Sequence, residues 1–257
     1  MQFAFKTSPQ NTTWDDMLAV WRAADEIDVY ESGWTFDHFY PIFSDPTGPC
    51  LEGWITLTAL AQATQRLRIG VLVTGIHYRH PAVLANMAAT LDIVSAGRLE
   101  LGIGAGWNEE ESGAYGIELG SIKERFDRFE EACQVLKGLL SQETTAFDGA
   151  YYQLAEARNE PKGPQRPHPP ICIGGNGEKR TLRITARYAD HWNFVGGTPE
   201  QFAHKRDVLA GHCADIGRDP RERLDLAIVY LPSPHDPAVL EPLAEAIRDS
   251  GQRANSG

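Results

Sequence analysis

The sequence predicts an α/β protein built on a parallel sheet. Short runs rich in β-branched and aromatic residues alternate with longer runs of helical periodicity, which is the pattern of repeated β-α-β units. The chain has 257 residues, a length that fits one large α/β domain or two small ones, and single barrels of this size are common. Since no internal repeat or linker interrupts the pattern, we expect one domain over residues 1–257.

Seven strands are predicted from apolar runs bounded by turn residues. Their expected ranges are 2–7, 29–36, 68–75, 98–104, 170–174, 191–195 and 224–231. The stretch "TTAFDGAYYQL" predicts an additional hairpin about Asp148-Gly149, and the proline-rich "EARNEPKGPQRPHPP" follows it. This insertion, at about 144–169, either covers a site or is a passive surface loop.

The helices are predicted from their amphipathic stripes and caps. The clearest helix is expected over 121–140, where apolar side chains form one face and charged side chains the other. Thr12 or Thr13 is expected to cap the first helix of the chain. Pro81 is expected to open another helix, because proline is tolerated in a first turn. Residues 178–189 predict a further helix after a glycine turn.

The charge balance excludes some classes of partner. The formal net charge is −11, and its long-range field would repel nucleic acid and anionic membrane surfaces. No apolar run reaches the length of a membrane span, and no basic segment with an apolar core precedes the first strand. We therefore expect a cytoplasmic protein without a nucleic-acid or membrane partner.

The cysteines and histidines do not predict a metal site. The four cysteines are far apart and lack CxxC spacing, so we expect ordinary buried thiols at Cys50, Cys133, Cys172 and Cys213. His77 and His80 lie three residues apart, but no third ligand is paired with them.

Glycine recurs at every second residue of "GRLELGIGAGWNEEE", residues 97–111. Gly102, Gly104 and Gly106 therefore share one face of the predicted strand. Glycine weakens a strand, so three in phase indicate either that a flat or bulky group approaches the bare face, or that neighbouring core residues fill it. The stretch lacks the third glycine of the dinucleotide fingerprint and places acids where a pyrophosphate would bind.

A phosphate-binding turn is predicted in "PPICIGGNGEKRTLRITARYADHWN". An apolar strand ends there, and four residues that let the backbone turn its N–H groups toward an anion follow it: Gly174, Gly175, Asn176 and Gly177. The next helix adds a favourable potential, and Lys179 and Arg180 add local positive charge. The alternative is a tight glycine turn with two solvated cations.

Asp37 and His38 end the second predicted strand. A histidine at the carboxyl end of a strand can exchange protons near neutral pH, and a neighbouring carboxylate can orient it. The alternative is that the pair is structural.

Four stretches resemble the bacterial-luciferase-like superfamily of flavin and deazaflavin oxidoreductases, and most of all its branch that uses coenzyme F420. They are "DHF" at 37–39 and the stretches at 73–111, 174–193 and 229–246. The resemblance implies a (β/α)8 barrel and a non-proline cis peptide at the end of the third strand, against which the cofactor ring lies. We expect that peptide at Gly75–Ile76.

The resemblance also assigns residues to the site. The cofactor-binding residues it implies are Asp37, Thr74, Gly75, Ile76, Gly104, Gly106, Asn108, Gly174, Gly175, Asn176, Gly177 and Arg180. By this resemblance Asp37 and His38 flank the ring, residues 74–76 back it, Asn108 lies at the barrel mouth and residues 174–177 hold the phosphate, near the charge of Arg180. The candidate for a catalytic proton partner is His38, with Glu109 and Glu110 as second candidates, and no metal is implied.

The activity implied is that of an F420-dependent oxidoreductase, which transfers a hydride between the deazaflavin C5 and a small organic substrate. The alternatives are an FMN-dependent luciferase-like monooxygenase, which takes reduced flavin from a partner reductase and uses O2, and a non-catalytic flavin-binding paralogue. Trp107 stands where the sugar-phosphate dehydrogenase branch has an acid, so a sugar phosphate is not the expected substrate.

One βα unit of the family barrel is missing from the C-terminal half. Only "RDPRER" separates the helix "EQFAHKRDVLAGHCADIG" from the last strand "LDLAIVYL". Seven strands cannot keep the tilt and shear of eight without adjustment, and an unpaired edge promotes association. A smaller barrel, an antiparallel segment or a dimer that covers the edge would close the gap, and of these we expect a homodimer.

Overall fold

The computed structural model describes residues 2–220 and 226–254. The chain forms two compact units: the first is Met1–Val71 with Asp225–Gly257, and the second is Leu72–Leu224. The prediction of a single domain over residues 1–257 stays a prediction.

Strands and helices alternate along the described residues, which confirms the predicted α/β class. The strands there are β1 (Gln2–Thr7), β2 (Tyr30–Thr35), β3 (Arg68–Val71), β4 (Thr74–Gly75), β5 (Leu99–Gly104), β6 (Thr145–Asp148), β7 (Gln153–Ala157), β8 (Ile171–Gly174), β9 (His191–Asn193) and β10 (Leu226–Leu231). The α-helices there are α1 (Trp14–Asp25), α2 (Gly53–Ala63), α3 (Pro81–Val94), α4 (Glu109–Ala114), α5 (Ile122–Ser141), α6 (Thr181–Tyr188), α7 (Pro199–Ala214) and α8 (Leu240–Ala254).

In the first unit four strands pair in parallel in the order β10, β1, β2, β3. The Phe5 ring on β1 packs edge-on against Trp21 of α1 and against Tyr30, with centroids 5.3 and 5.6 Å apart. Trp21 also donates from Nε1 to Oγ1 of Thr7 at 2.8 Å. Helix α1 therefore covers the face of β1 that carries Phe5 and Thr7, and Lys6 belongs to the opposite face.

In the second unit β4 pairs with β5, and β5, β8 and β9 follow one another, all in parallel. Helix α5 corresponds to the helix predicted over 121–140. Its N-terminus is a capping box: Ser121 Oγ accepts from the Glu124 N–H, and the Glu124 carboxylate accepts from the Ser121 N–H. The first helix, α1, is capped in the same way by Thr13, the second of the two candidates.

The insertion contains the predicted hairpin, in which β6 and β7 pair antiparallel. The proline-rich loop after it is fastened to the helices: Asn159 donates to the carbonyls of Ala85 and Leu139 at 3.4 and 3.3 Å. Gln165 donates to the carbonyl of Leu99, at the amino end of β5, at 2.7 Å. Ligand sites of parallel sheets lie at the carboxyl ends of the strands. These contacts favour the passive surface loop over a segment that covers the site.

The structure corrects two predicted elements and leaves one predicted boundary untested. The third strand is not continuous over 68–75 but breaks between β3 and β4. The helix predicted over 178–189 begins at Thr181, because residues 178–180 form a turn. The last strand begins at Leu226 among the described residues, and positions 224 and 225 of its predicted range lie outside them.

The cysteines are thiols, as predicted. Cys133, Cys172 and Cys213 are buried, whereas Cys50 is half-buried. Burial raises the pKa of Cys133 and of Cys172 above the ordinary value of a thiol, so both stay protonated near neutral pH.

Membrane-spanning helices and metal-ligand clusters are absent from the described residues. None of its helices is both long enough and apolar enough to cross a bilayer. In the same residues, 2–220 and 226–254, no three His, Cys, Asp or Glu side chains are arranged to hold a metal ion.

Candidate active site

Asp37 and His38 follow strand β2 in the first unit, at its carboxyl end. Asp37 is buried and His38 is half-buried. The imidazole of His38 lies edge-on to the Phe36 ring, with centroids 5.1 Å apart and an interplanar angle of 86°. The Cys50 thiol donates to the carbonyl of His38 at 3.5 Å. The histidine is thus held by packing and keeps one side accessible, as a group that exchanges protons with a ligand requires.

The non-proline cis peptide joins Leu72 to Val73. It does not join Gly75 to Ile76, so our expectation for its position was wrong by three residues. Gly75 instead pairs with Gly104 in the parallel ladder, and the Ile76 N–H donates to the Gly104 carbonyl at 2.9 Å. The strand predicted over 68–75 is therefore interrupted at residues 72 and 73, before β4, and not after residue 75.

Side chains of residues 73–77 fill the bare face of the glycine stretch at Gly104 and Gly106. A β-carbon at Gly104 would lie 2.9 Å from Cγ2 of Val73, and one at Gly106 would overlap the His77 imidazole. Gly106 also has a φ of +84°, which glycine adopts readily. At Gly104 and Gly106 the missing side chains therefore make room for neighbouring protein residues, which is the second of the two interpretations.

Val73 also lies next to the carboxyl ends of both β5 and β8. A β-carbon at Gly174 would lie 3.1 Å from Cγ1 of Val73, and one at Gly104 would lie 4.0 Å from the Gly174 carbonyl oxygen. The end of β5 and the start of the predicted phosphate turn are therefore adjacent, as a shared ligand requires.

Asn108 organises a buried polar cluster at the start of α4. Its Oδ1 accepts from the Glu111 N–H at 3.1 Å, and its carbonyl accepts from the Ser112 hydroxyl at 2.8 Å. The same hydroxyl lies 3.2 Å from Nε2 of His77. The Tyr78 hydroxyl donates to the carboxylate of Glu111, which is fully buried.

The acids predicted as second proton partners are on the outer side of α4. Glu109 and Glu110 are exposed, and Glu109 forms an ion pair with Arg125 at 3.3 Å. The buried acid of this run is Glu111, which our sequence analysis missed together with its partner Tyr78. The helical period could have identified it, because residues 108, 111 and 112 share one side of the helix while 109 and 110 lie on the other.

The turn at residues 174–177 is fixed by hydrogen bonds from β9 and the loop after it. The Asn176 amide accepts from the Val195 N–H at 3.0 Å and donates to the Val195 carbonyl at 2.9 Å. Trp192 Nε1 donates to the Gly175 carbonyl at 2.8 Å. Helix α6 begins behind the turn, and no side chain caps its N-terminus. The Leu182 N–H donates to the Gly177 carbonyl at 3.0 Å, so an anion at this helix start would be bound by the other N–H groups of the first turn.

Arg180 is paired with a carboxylate rather than solvated. Its guanidinium donates to Oδ1 of Asp127 at 2.6 Å and lies over the Phe126 ring, 5.4 Å from the centroid. Lys123 donates to Oδ2 of the same aspartate at 2.6 Å. The bond from Lys123 and then that from Arg180 hold the pKa of Asp127 below its usual value. The positive charge of Arg180 is thus compensated, whereas Lys179 is exposed.

Helix α7 is attached to the residue that follows the turn, Glu178. Lys205 Nζ and His204 Nε2 lie 2.6 and 3.0 Å from Oε1 of Glu178. Lys205 first, and then His204, lower the pKa of this carboxyl. A cleft of about 610 Å³ opens beside these side chains, lined by Asn176, Phe194, Gly196, Glu200, Gln201, His204 and Lys205.

Comparison with known proteins agrees with the resemblance. The profile described as "Luciferase-like monooxygenase" matches residues 1–254. An F420-dependent hydroxymycolic acid dehydrogenase of Mycobacterium tuberculosis is 32% identical over 216 residues, which cover 80% of this chain and 56% of the relative. An FMNH(2)-dependent dimethylsulfone monooxygenase of Pseudomonas putida is 28% identical over 213 residues, which cover 77% of this chain and 58% of the relative.

A solved structure has the fold that the resemblance implies. An F420-dependent secondary alcohol dehydrogenase in complex with an F420-acetone adduct aligns with a TM-score of 0.79 and 26% identity, over 88% of this chain and 68% of that chain. The predicted luciferase-like TIM-barrel class is thereby confirmed. The chain spans about half the length of the curated relatives it matches.

Proposed function

The chain belongs to the luciferase-like monooxygenase family, and on that premise we propose that it is an F420-dependent oxidoreductase. Its relatives include both oxidoreductases that use F420 and monooxygenases that use FMN. When bound, F420 would supply hydride transfer at its C5 to or from a small organic substrate. The protein's own residues would bind and orient the two molecules and hold a proton.

The cleft beside the glycine turn is the observation that favours F420 over FMN. FMN ends at its phosphate, whereas F420 continues beyond its phosphate into a tail that carries carboxylates. A phosphate at residues 174–177 would lie next to Asn176, which also lines the cleft. Lys205 and His204 on its wall share the carboxylate of Glu178, and a carboxylate of the tail would join this group as a second acceptor.

The residues of the turn fit a phosphate. Gly174 and Gly175 carry no side chain above it, and the uncapped start of α6 offers backbone N–H groups. Arg180 stays a predicted phosphate ligand, although Asp127 compensates its charge.

Val73 is the surface against which we expect the ring to lie. It belongs to the cis peptide and packs between Gly104 and Gly174. Thr74, Gly75 and Ile76 directly follow it and stay predicted ring contacts. The bare face of β5 is itself occupied by protein, so the ring would meet Val73 rather than the glycines.

His38 remains the proposed proton partner. It is half-buried beside Phe36 at the carboxyl end of β2, whereas Glu109 and Glu110 are exposed. A half-buried imidazole can accept or donate a proton and can still reach a ligand.

A binding experiment tests the proposal. Titration of the purified protein with F420 and with FMN, followed by fluorescence, is expected to give at least tenfold tighter binding of F420. Lys205→Met should weaken F420 binding and leave FMN binding unchanged, because only F420 extends into the cleft. Arg206→Met is the matched control, since Arg206 is the next cation of α7 and pairs with Asp207 at 3.2 Å.

The alternatives give different results in the same experiment. Tighter binding of FMN, with oxygen consumed when reduced FMN is supplied, would indicate the FMN-dependent monooxygenase and a partner reductase. Flavin binding without turnover on any substrate would indicate the non-catalytic paralogue.

A homodimer and a cytoplasmic location stay predictions. Among the described strands β10 pairs only with β1, and β9 only with β8, so each offers a free edge to a second copy. Light scattering of the purified protein would measure the mass of the assembly.

A further inference from the structure

We propose that Lys6, between the rings of Phe36 and Tyr230, forms a subsite for the carboxylate of a substrate with an apolar body. The inference rests on the proposed function for the statement that the bound molecule is a substrate. The binding itself requires no cofactor, so the two can fail separately.

Lys6 is buried on the face of β1 that α1 leaves uncovered. Lys6 is 8% exposed. In the sheet it lies opposite Tyr230 of β10 on one side and Trp34 of β2 on the other. The ammonium lies 4.5 Å from the centroid of the Tyr230 ring and 5.7 Å from that of Phe36. Both distances allow cation–π attraction, which partly replaces lost hydration.

No carboxylate of the described residues compensates this charge. Lys6 forms no ion pair there, and burial is the single cause that lowers its pKa from 10.5 to about 8. A buried ammonium is normally paired, because leaving it unpaired is costly. An anionic ligand would supply the missing partner and stabilise the protonated form of Lys6.

The surroundings of Lys6 select the class of anion. One ammonium between two aromatic rings can compensate a single negative charge and offers an apolar surface beside it. A phosphate carries nearly two charges and needs several donors. The site therefore favours a carboxylate attached to an apolar or aromatic group.

The subsite is beside the proposed proton partner. Phe36 contacts both groups, since its ring centroid lies 5.7 Å from Lys6 Nζ and 5.1 Å from that of the His38 ring. Lys6 is at the carboxyl end of β1, and His38 follows the carboxyl end of β2, where ligand sites of such sheets lie. A carboxylate held by Lys6 would place the body of the substrate near His38. Tyr230 is 53% exposed and forms the outer wall of the subsite.

The experiment uses benzoate as the probe and benzamide as its neutral analogue, with no cofactor present. The chain has six lysines, so the resonance of the Lys6 side chain can be assigned in 15N-lysine spectra by comparison with Lys6→Met. Benzoate is expected to raise the pKa of Lys6 by at least one unit and to bind at least tenfold more tightly than benzamide. Lys6→Met should abolish that preference, and Lys6→Arg should retain part of it.

Lys162→Met is the matched control. Lys162 is also largely buried, but it pairs with Glu160 at 3.1 Å, so this variant should bind benzoate as the wild type does. The proposal is overturned if benzoate leaves the pKa of Lys6 unchanged, if Lys6→Met keeps the preference, or if inorganic phosphate binds more tightly than benzoate. Should the protein bind neither F420 nor FMN while benzoate still raises the pKa of Lys6, the proposed function fails and the carboxylate subsite stands.

Discussion

Val73 occupies the space that a side chain at Gly104 would need, since a β-carbon there would lie 2.9 Å from Cγ2 of the valine. We expect Gly104→Ala to lower the free energy of unfolding by about 1–3 kcal/mol, the usual cost of overpacking a core. Val73→Ala in the same chain should recover part of the loss, because it removes the methyl group in conflict. Urea unfolding of the single and double variants measures both effects.

Gly113→Ala is the control for this substitution. No heavy atom of a neighbour lies within 4 Å of a β-carbon at Gly113, which is in α4. Alanine should be neutral there or stabilise the helix. Equal stability of wild type and Gly104→Ala would contradict the assigned contact.

This contact shows which part of the site could be predicted from sequence. The alternating glycines of β5 were visible as a pattern, and so was the strand that carries them. The identity of the groups that fill the bare face was not, because Val73 and His77 reach it only through the break between β3 and β4. Local periodicity describes one strand, whereas this packing depends on where the next segment of chain returns.

Tyr78 and Glu111 allow a test of the buried cluster. Tyr78→Phe removes the hydroxyl that donates to the buried carboxylate of Glu111. We expect it to lower the free energy of unfolding by about 1–3 kcal/mol, the cost of depriving a buried acceptor of its donor. Glu110→Gln, at an exposed position of the same helix, should change stability by less than about 0.5 kcal/mol. If Tyr78→Phe is as stable as Glu110→Gln, the bond contributes nothing.

Glu111 also illustrates why the sequence analysis did not single out the buried acid. Glu109, Glu110 and Glu111 are chemically identical, and only the start of α4 at Asn108 decides which of them is buried. The long elements were predicted more reliably, since the amphipathic stripe of α5 and the apolar runs of the strands extend over many residues. A helix of one or two turns has no such redundancy.

Asp127 controls the charge near the predicted phosphate turn. Asp127→Asn would leave Arg180 and Lys123 without their shared carboxylate. The local potential becomes more positive, so we expect the affinity for F420 to rise by about two- to tenfold at low salt and less at high salt. Fluorescence titration at two ionic strengths measures the change.

Glu143→Gln is the control for Asp127→Asn. Glu143 pairs with Arg158 at 3.2 Å, and both side chains are well exposed, so its loss should not alter cofactor affinity. Weaker binding by Asp127→Asn would show that the aspartate is needed to orient Arg180 rather than to compensate it.

Lys6 makes the stability of the protein depend on pH. Burial lowers its pKa to about 8 in the folded chain, from 10.5 in the unfolded chain. Between these values Lys6 binds more protons in the unfolded state than in the folded state, so its contribution to the free energy of unfolding should rise with pH across this window. The full rise is on the order of 3 kcal/mol, at 1.36 kcal/mol for each pKa unit. Below pH 8 both states are protonated, and the penalty of the buried charge is constant.

Tyr30 acts in the opposite direction at higher pH. Burial raises its pKa from 10.0 to about 12, so its contribution to stability is complete below pH 10 and is lost as the pH rises toward 12. The difference between the wild type and Lys6→Met in urea unfolding between pH 7.5 and 10 isolates Lys6, because both proteins carry Tyr30 and the buried thiols. The wild type should become more stable across that range relative to Lys6→Met, which has no amine to titrate. Parallel curves for the two proteins would mean that the amine keeps an ordinary pKa and that the ammonium is hydrated, in which case a ligand carboxylate would have no uncompensated charge to meet.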